Sequence, residues 1–468
     1  MSEILKGLKP EKVFHYFEEI SAIPRGSCST EAISDYCEKF ALSHELEYVR
    51  EKCGNIIIRK EAGAGCKSLE PVLIQGHLDM VWEKSSDCDI DFKNEGLRLN
   101  KDDEFIFADG TTLGGDDGIA VAMGLALLDD DDIIHPPLEV LFTVDEEVGM
   151  TGAYELDASN IFSKRLINLD SEEEGTLLAG CAGGARTEIR LMYNKIHEEK
   201  PAYRLTLSGL HGGHSGAEIH IGYANANKVM GRILSEISDD VEIVSINGGT
   251  MDNAITRSCS AVIIADNLKR VDEILNDYRL KDPFIALTIE NCSSESHYSK
   301  EDSRKIISMI NELPCGVVSM SRDMEGLVET SLNLGIIKTK DDCLKLTFSV
   351  RSSVNEKKEA LIEELKKIAE KYDAKFRDYG RYPAWEFRKN SEFRDKIVSI
   401  YKKMFKKELN VSVIHAGLEC GLFSEKIKGL DAVSIGPDII DIHTPGEKLN
   451  IASVQRTWEF LLKILSEI

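Results

Sequence analysis

The stretch PVLIQGHLDM, Pro71 to Met80, sets the problem that this chain has to solve in folding. Val72, Leu73 and Ile74 form an apolar run suited to a central strand of a covered sheet. The run then delivers His77 and Asp79 instead of further aliphatic residues. A strand buried on both faces offers no solvent to an imidazole and a carboxylate, so its end must open onto a polar site. The same ending recurs elsewhere. LFTVDEEVG leads to Asp145, Glu146 and Glu147, LINLDSEEEG leads to Asp170, and GPDIIDIHTPGE brings His443. TTLGGDDGIA places Asp116 and Asp117 in a glycine turn just before a helix. Ligands in open α/β sheets gather at the carboxyl ends of strands. Five loops leaving strand ends are therefore expected to converge.

The surrounding pattern is that of an α/β layer. LKPEKVFHYFEEISAI and STEAISDYCEKFALSHE have helical periodicity, while NIIIRK, PVLIQGHL, LEVLFTVDEE and RLINLD are short apolar runs bounded by turn residues. GIAVAMGLALLDD reads as a buried helix. Helices alternating with such strands imply a parallel or mixed sheet sandwiched by helices. Near residue 187 the texture changes to strands with one wet face, such as YRLTLSGL and CLKLTFSVRSS, and to amphipathic helices. After about residue 385 the first texture returns, ending in a helix with Asn450 as its N-cap. With 468 residues, more than one core is expected. The predicted architecture is a discontinuous α/β domain over residues 1–186 and 385–468, with an α+β domain inserted at 187–384.

The formal net charge of −24 argues against non-specific binding to nucleic acid or to an anionic membrane. Eleven scattered cysteines without a C-x-x-C pair favour reduced thiols in a cytoplasmic protein. The N-terminal segment reads as an amphipathic helix rather than a signal peptide. No apolar run approaches the roughly 18 residues of a membrane span.

Each chemical feature is ordinary alone. A histidine at a strand end is more often a hydrogen-bonded residue than a ligand, Asp116 and Asp117 suit a helix cap, and 81 acidic residues make acidic pairs common. Their conjunction is informative, because buried carboxylates gathered without a counter-charge are costly.

The ordered set QGHLDM, DGTTLGGDDGIA, DEEVGMTGA, INLDSEEEG, GCAGG, HGGHSG, NAI, HAGLECG and SIGPDIIDIHTPGE resembles the aminoacyl-histidine dipeptidases, also called Xaa-His or cytosol non-specific dipeptidases. These form a branch of the dizinc peptidase superfamily that includes carnosinases and bacterial carboxypeptidase and tripeptidase relatives. The similarity runs from about residue 8 to the C-terminus. It implies two Zn²⁺ ions per chain, with Co²⁺ or Mn²⁺ as substitutes. His77 and Asp170 would hold one, Glu147 and His443 the other, and Asp116 would bridge them. A cis peptide at Asp116–Asp117 is implied as well. The implied reaction is hydrolysis of dipeptides, Xaa-His and broader with β-alanyl-histidine among the candidates, by a metal-bridging hydroxide with Glu146 as general base.

The resemblance gives Asp79 the task of accepting the spare N–H of His77, which suits residues i and i+2 on one strand face. It makes His214 the stabiliser of the oxyanion, and Asn253 and Arg351 the binders of the substrate's C-terminal carboxylate, for which a guanidinium is well shaped. Gly417 and Glu419 would line the pocket, with Glu419 meeting the substrate's free amine. A homodimer through the inserted lid domain is implied. Thr256 stands where the family usually has proline, and Trp82 replaces a smaller residue; both bear on substrate preference rather than on ligands.

Three rivals stay open at this level. HGGHSG and the His415–Cys420 spacing superficially suit a serine or cysteine hydrolase, although no G-x-S-x-G elbow surrounds Ser215. Deacylation of N-acyl amino acids uses the same metal ligands. A non-catalytic metal or peptide binder on the same fold is the third.

Overall fold

The computed structural model describes residues 4–468 apart from Ala64, Asp239, Arg270 and the side chain of Asp272. The chain divides into two compact units. One runs to Gly180 and resumes over Phe387–Val413 and Leu418–Ile468, and the other comprises Cys181–Glu386 with Ile414–Gly417. The four-residue return at Ile414 is invisible in the hydropathy pattern because backbone contacts create it. The Ala182 N–H donates to the carbonyls of Ile414 and Ala416, both at 3.0 Å.

The first unit is built on an eight-stranded mixed sheet. Its order is Glu47–Arg50, Ile56–Lys60, Leu138–Thr143, Val72–His77, Arg165–Asn168, Asp431–Ser434, Thr176–Cys181 and Asn410–Ile414. The four strands from Leu138–Thr143 to Asp431–Ser434 run parallel to one another, and antiparallel neighbours flank them. Val72–His77 lies inside this parallel group and is buried along its whole length. Val72, Leu73 and Ile74 are at most 1% exposed, and burial of each contributes roughly 1.5–3 kcal/mol. The register places His77 beside Thr143, so the ends of neighbouring strands are level.

Gly115–Leu128 is buried throughout and packs against the amphipathic helix Glu11–Ser21. Its closeness to the sheet needs a glycine: a Cβ on Gly124 would lie 2.8 Å from the Phe142 ring. The closing helix Ile451–Glu467 is capped by Asn450, whose side chain accepts from the Ser453 N–H at 2.9 Å.

Two of the five chemistry-bearing loops do not leave the large sheet. Ile439–Ile440, Lys448–Asn450, Phe105–Ala108 and Leu99–Lys101 form a separate antiparallel sheet. It joins the C-terminal HTPGE loop to the segment preceding Asp116. Pairing between strands more than 300 residues apart sets this arrangement, and local apolar periodicity carries no trace of it.

The second unit has a nine-stranded antiparallel sheet covered by helices Ala226–Glu236, Lys300–Glu312 and Asn355–Lys371. Within it, Ser331 and Arg351 are direct cross-strand partners. A separate short ladder pairs Gly213–His214 with Ala254–Ile255. The eleven cysteines are free. No helix among the described residues is long and apolar enough to cross a membrane.

Candidate active site

The residues singled out as ligands meet in the first unit. His77, Asp116 and Asp170 form one group whose ligating atoms lie within 4.8 Å of one another, and Asp116, Glu147 and His443 form a second. Asp116 belongs to both, and its two oxygens divide the work. Oδ1 is 3.1 Å from His77 Nε2, and Oδ2 is 3.3 Å from His443 Nε2. His77 Nε2 also lies 3.7 Å from Asp170 Oδ1, and His443 Nε2 lies 2.8 Å from Glu147 Oε1. Glu146 is close enough to form a third such group with His77 and Glu147. The Asp116–Asp117 peptide is cis.

Asp79 is fully buried behind this cluster. His77 Nδ1 meets its backbone carbonyl at 3.0 Å and its carboxylate at 3.4 Å. The carboxylate is engaged mainly elsewhere: it accepts from the backbone N–H of Glu146 at 2.9 Å, from that of Glu147 at 3.3 Å, and from Ser27 Oγ at 2.8 Å. The expected contact with His77 is present, and the main chain carries most of it. The turn bearing the two glutamates closes with Gly149 and Met150 N–H groups on the Glu146 carbonyl, and Gly149 there adopts a φ of 118° that favours glycine.

Two residues that the sequence reading leaves out hold the Asp116 loop. Glu447 accepts four successive backbone N–H groups, those of Leu113, Gly114, Gly115 and Asp116, at 2.7–3.3 Å. Arg25 is fully buried and donates to the carbonyls of Leu78, Asp79 and Gly114. Arg25 lies outside the quoted motifs, and Glu447 closes GPDIIDIHTPGE, where His443 is the residue that carries recognisable chemistry. Their signal in the sequence is a charged residue inside an apolar or turn segment, which is weak by itself.

The electrostatics are those of a cation site. Burial, reinforced by the charge of Asp117, holds the Asp170 carboxyl well above the usual range. Burial pushes Glu146 up to about 8, with His77 opposing and Glu419, Glu147 and Asp116 adding to it. Burial also works against a charged His77, but hydrogen bonds to Asp116 and Asp79 outweigh it and hold its pKa well above the ordinary value. Hydrogen bonds to Asp116 and Glu147 raise His443 to about 10. Carboxylates this crowded and buried cannot all ionise unaided. Two histidines and three carboxylates sharing one aspartate fit a pair of zinc-like ions.

The remaining predicted site residues fall in two places. Glu419 is completely buried in the first unit, its Oε2 accepting from Gln75 at 2.6 Å and Thr143 at 2.7 Å, while Oε1 has no hydrogen-bond partner among the described residues. His214, Asn253, Arg351 and Gly417 belong to the second unit. The Ser215 N–H donates to the Asn253 carbonyl at 2.8 Å, which fixes the His214 and Asn253 segments together. His214 Nδ1 accepts from the Ala217 N–H at 3.0 Å, so the ring proton resides on Nε2 and is free to donate. Arg351 is 9% exposed and its Nε has no hydrogen-bond partner among the described residues. A Cβ on Gly216 would lie 3.0 Å from the His214 ring, 3.3 Å from the Arg351 guanidinium and 2.8 Å from the His415 carbonyl, so these groups surround one small residue. Gly417 is required by Tyr382, whose ring would be 2.7 Å from a Cβ there.

His415 and Tyr382 are therefore further members of this group that the motif reading does not assign. Arg351 reaches the Tyr382 hydroxyl at 3.5 Å, and His415 Nε2 is 2.7 Å from Ser331 Oγ. The two unusual residues have evident packing roles. Thr256 donates its hydroxyl to the Gly335 carbonyl at 2.8 Å. Trp82 stacks on Phe92 with ring centroids 5.3 Å apart and lies over Gly26, where any Cβ would clash with it.

Comparison with known proteins gives consistent matches. The family model described as peptidase family M20/M25/M40 matches residues 73–467. The chain is 38% identical to the cytosol non-specific dipeptidase of Escherichia coli (strain K12), covering 100% of this chain and 99% of that one. The crystal structure of aminoacylhistidine dipeptidase from Vibrio alginolyticus superposes with a TM-score of 0.91 at 35% identity, covering 100% of this chain and 98% of that one. Aminopeptidase PepT from Bacillus cereus ATCC 10987 shares the fold at 16% identity, with a TM-score of 0.59 and coverage of 98% and 99%.

Proposed function

Because this chain belongs to the M20/M25/M40 peptidase family, we propose that it is a cytoplasmic dizinc dipeptidase, cutting the peptide bond of Xaa-His and other dipeptides, β-alanyl-histidine among them. The observation that carries this reading is the division of Asp116, with one oxygen toward His77 and the other toward His443. His77 and Asp170 would hold one ion and Glu147 and His443 the other, with Asp116 placed to serve both; Co²⁺ or Mn²⁺ would substitute for zinc. When bound, the ions supply Lewis acidity that polarises the scissile carbonyl and acidifies the attacking water.

The protein's own groups do the rest. Glu146, raised toward neutrality by burial, takes a proton from the attacking water and passes it to the leaving amine. Asp79 holds the Glu146–Glu147 turn in place and steadies His77. His214 donates its Nε2 proton to the developing oxyanion. Burial, with the charge of Arg351, lowers the His214 pKa, which keeps the ring a neutral donor. Arg351 and Asn253 bind the C-terminal carboxylate, and Gly417 leaves room for it beside Tyr382. The free amine is assigned to Glu419, whose Oε1 has no hydrogen-bond partner among the described residues. A homodimer through the second unit belongs to the same reading.

The test is hydrolysis of a panel of free dipeptides, with β-alanyl-histidine, beside their N-acetylated forms. Cleavage of the free peptides alone is expected. Cleavage of the acetylated forms instead would make the enzyme a deacylase.

A further inference from the structure

Arg25 and Glu447 come from opposite ends of the chain and grip the same loop. A buried arginine ordinarily pairs with a carboxylate, but Arg25 spends its donors on main-chain carbonyls. Nη1 donates to Leu78 at 3.0 Å and to Asp79 at 3.3 Å, and Nη2 donates to Gly114. Leu78 and Asp79 immediately follow His77, and Gly114 lies two residues before Asp116. One rigid guanidinium thus spans the two segments that carry His77 and Asp116. The glycines of LGGDDG are what admit it: a Cβ on Gly114 would lie 2.5 Å from Nη2, and one on Gly118 would lie 2.4 Å from it.

Glu447 holds the other side of that loop. Oε2 accepts from Leu113 and Gly114, and Oε1 accepts from Gly115 and Asp116. It sits four residues beyond His443 in the same C-terminal loop. Its carboxylate therefore fastens the His443 segment to the Asp116 segment, as Arg25 fastens the His77 segment to it. His77 and Asp116 share one ligand group, and Asp116 and His443 share the other.

We infer that Arg25 and Glu447 are positioning residues with separate charges: Arg25 sets His77 against Asp116 for one metal subsite, and Glu447 sets Asp116 against His443 for the second. This rests on the two-metal reading above. Partners that orient metal ligands change metal affinity by about 10- to 100-fold when removed. Both clamps grip Gly114, but each reaches a different second segment, that of His77 for Arg25 and that of His443 for Glu447, so their removal is expected to weaken the two subsites unequally, which general support of the fold does not predict.

The experiment titrates chelator-stripped, full-length protein with Zn²⁺ against a chromophoric chelator, and with Co²⁺ followed by its absorption spectrum. His77→Ala and His443→Ala identify which binding phase and which Co²⁺ bands belong to each subsite. Arg25→Lys keeps the charge but cannot fork to three carbonyls, and Arg25→Gln removes the charge. Glu447→Gln keeps the shape but cannot accept all four N–H groups equally. Circular dichroism checks folding, and Arg25→Lys with Glu447→Gln carries the test if Arg25→Gln fails to fold.

The expected result is a 10- to 100-fold weakening of the His77 phase in both Arg25 variants, milder in Arg25→Lys, with the other phase within about threefold of the unaltered protein. Glu447→Gln is expected to do the reverse. Equal weakening of both phases in every variant, or no weakening in folded variants, overturns the inference and leaves the two-metal reading intact. An unaltered protein that binds no metal overturns both.

Discussion

The carboxylate of Asp79 accepts the backbone N–H of Glu146 at 2.9 Å. A residue that looks in the sequence like a support for His77 thus also builds the turn that presents the proposed base. Asp79→Asn is expected to lower kcat by about 10- to 100-fold even at saturating zinc. Steady-state kinetics across zinc concentrations checks this. If zinc restores kcat fully, Asp79 acts through the metal ligand alone.

Glu146→Gln should separate chemistry from metal binding. A positioned acid–base group contributes about 10²- to 10⁴-fold, so kcat is expected to fall by that range while zinc content stays at the unaltered value. Metal analysis of the same preparation decides the matter. A variant that loses its zinc would make Glu146 a ligand.

Arg351 has a buried Nε without a hydrogen-bond partner among the described residues, and its guanidinium reaches the Tyr382 hydroxyl only at 3.5 Å. Hydrogen bonds to charged groups are worth about 1.5–3 kcal/mol. Arg351→Met is expected to raise KM for free dipeptides about 10- to 100-fold with a smaller change in kcat. Arg351→Lys recovers part of the loss, since a lysine keeps the charge but not the planar fork. Dipeptides amidated at the C-terminus should be insensitive to both substitutions.

His415 predicts a pH dependence of stability. Burial, together with the charge of Arg351, pushes its pKa down to about 4 from the ordinary 6.5. Between those values the unfolded chain binds a proton that the folded chain refuses. Stability is therefore complete above about pH 6.5 and is lost progressively as the pH falls toward 4, by on the order of 3 kcal/mol from this group. Urea unfolding of chelator-stripped protein across that window, compared with His415→Asn, isolates the effect. The variant should show a shallower loss by up to one proton's worth of slope. Identical slopes would place the charge change elsewhere.

How much of this was legible in the sequence depends on the range of the interaction. The strand Val72–His77 and the helix Gly115–Leu128 announce themselves through local apolar pattern, and so do the ends where His77, Glu147 and Asp170 emerge. Asp116 and His443 were suggested by residue type and by family resemblance, but the small antiparallel sheet that brings their segments together depends on pairing across the whole chain. Arg25 and Glu447 act on backbone carbonyls and N–H groups, which every residue possesses. Residue type does not mark such partners, even where, as with Glu447 at the end of GPDIIDIHTPGE, a motif contains one. The relation of His415 and Tyr382 to Arg351 was hidden for a related reason: it comes from register and from a short chain return, at Ile414–Gly417, that hydropathy does not encode.

The Asp116-centred cluster is proposed as a two-metal hydrolytic site. Hydrolysis of a free dipeptide by chelator-stripped protein, followed as zinc is returned in measured equivalents, tests it most directly. Activity should be negligible without metal and rise to its plateau at two equivalents per chain, with Asp116→Asn inactive throughout. Full activity in the stripped protein, or a plateau that Asp116→Asn also reaches, would contradict the account.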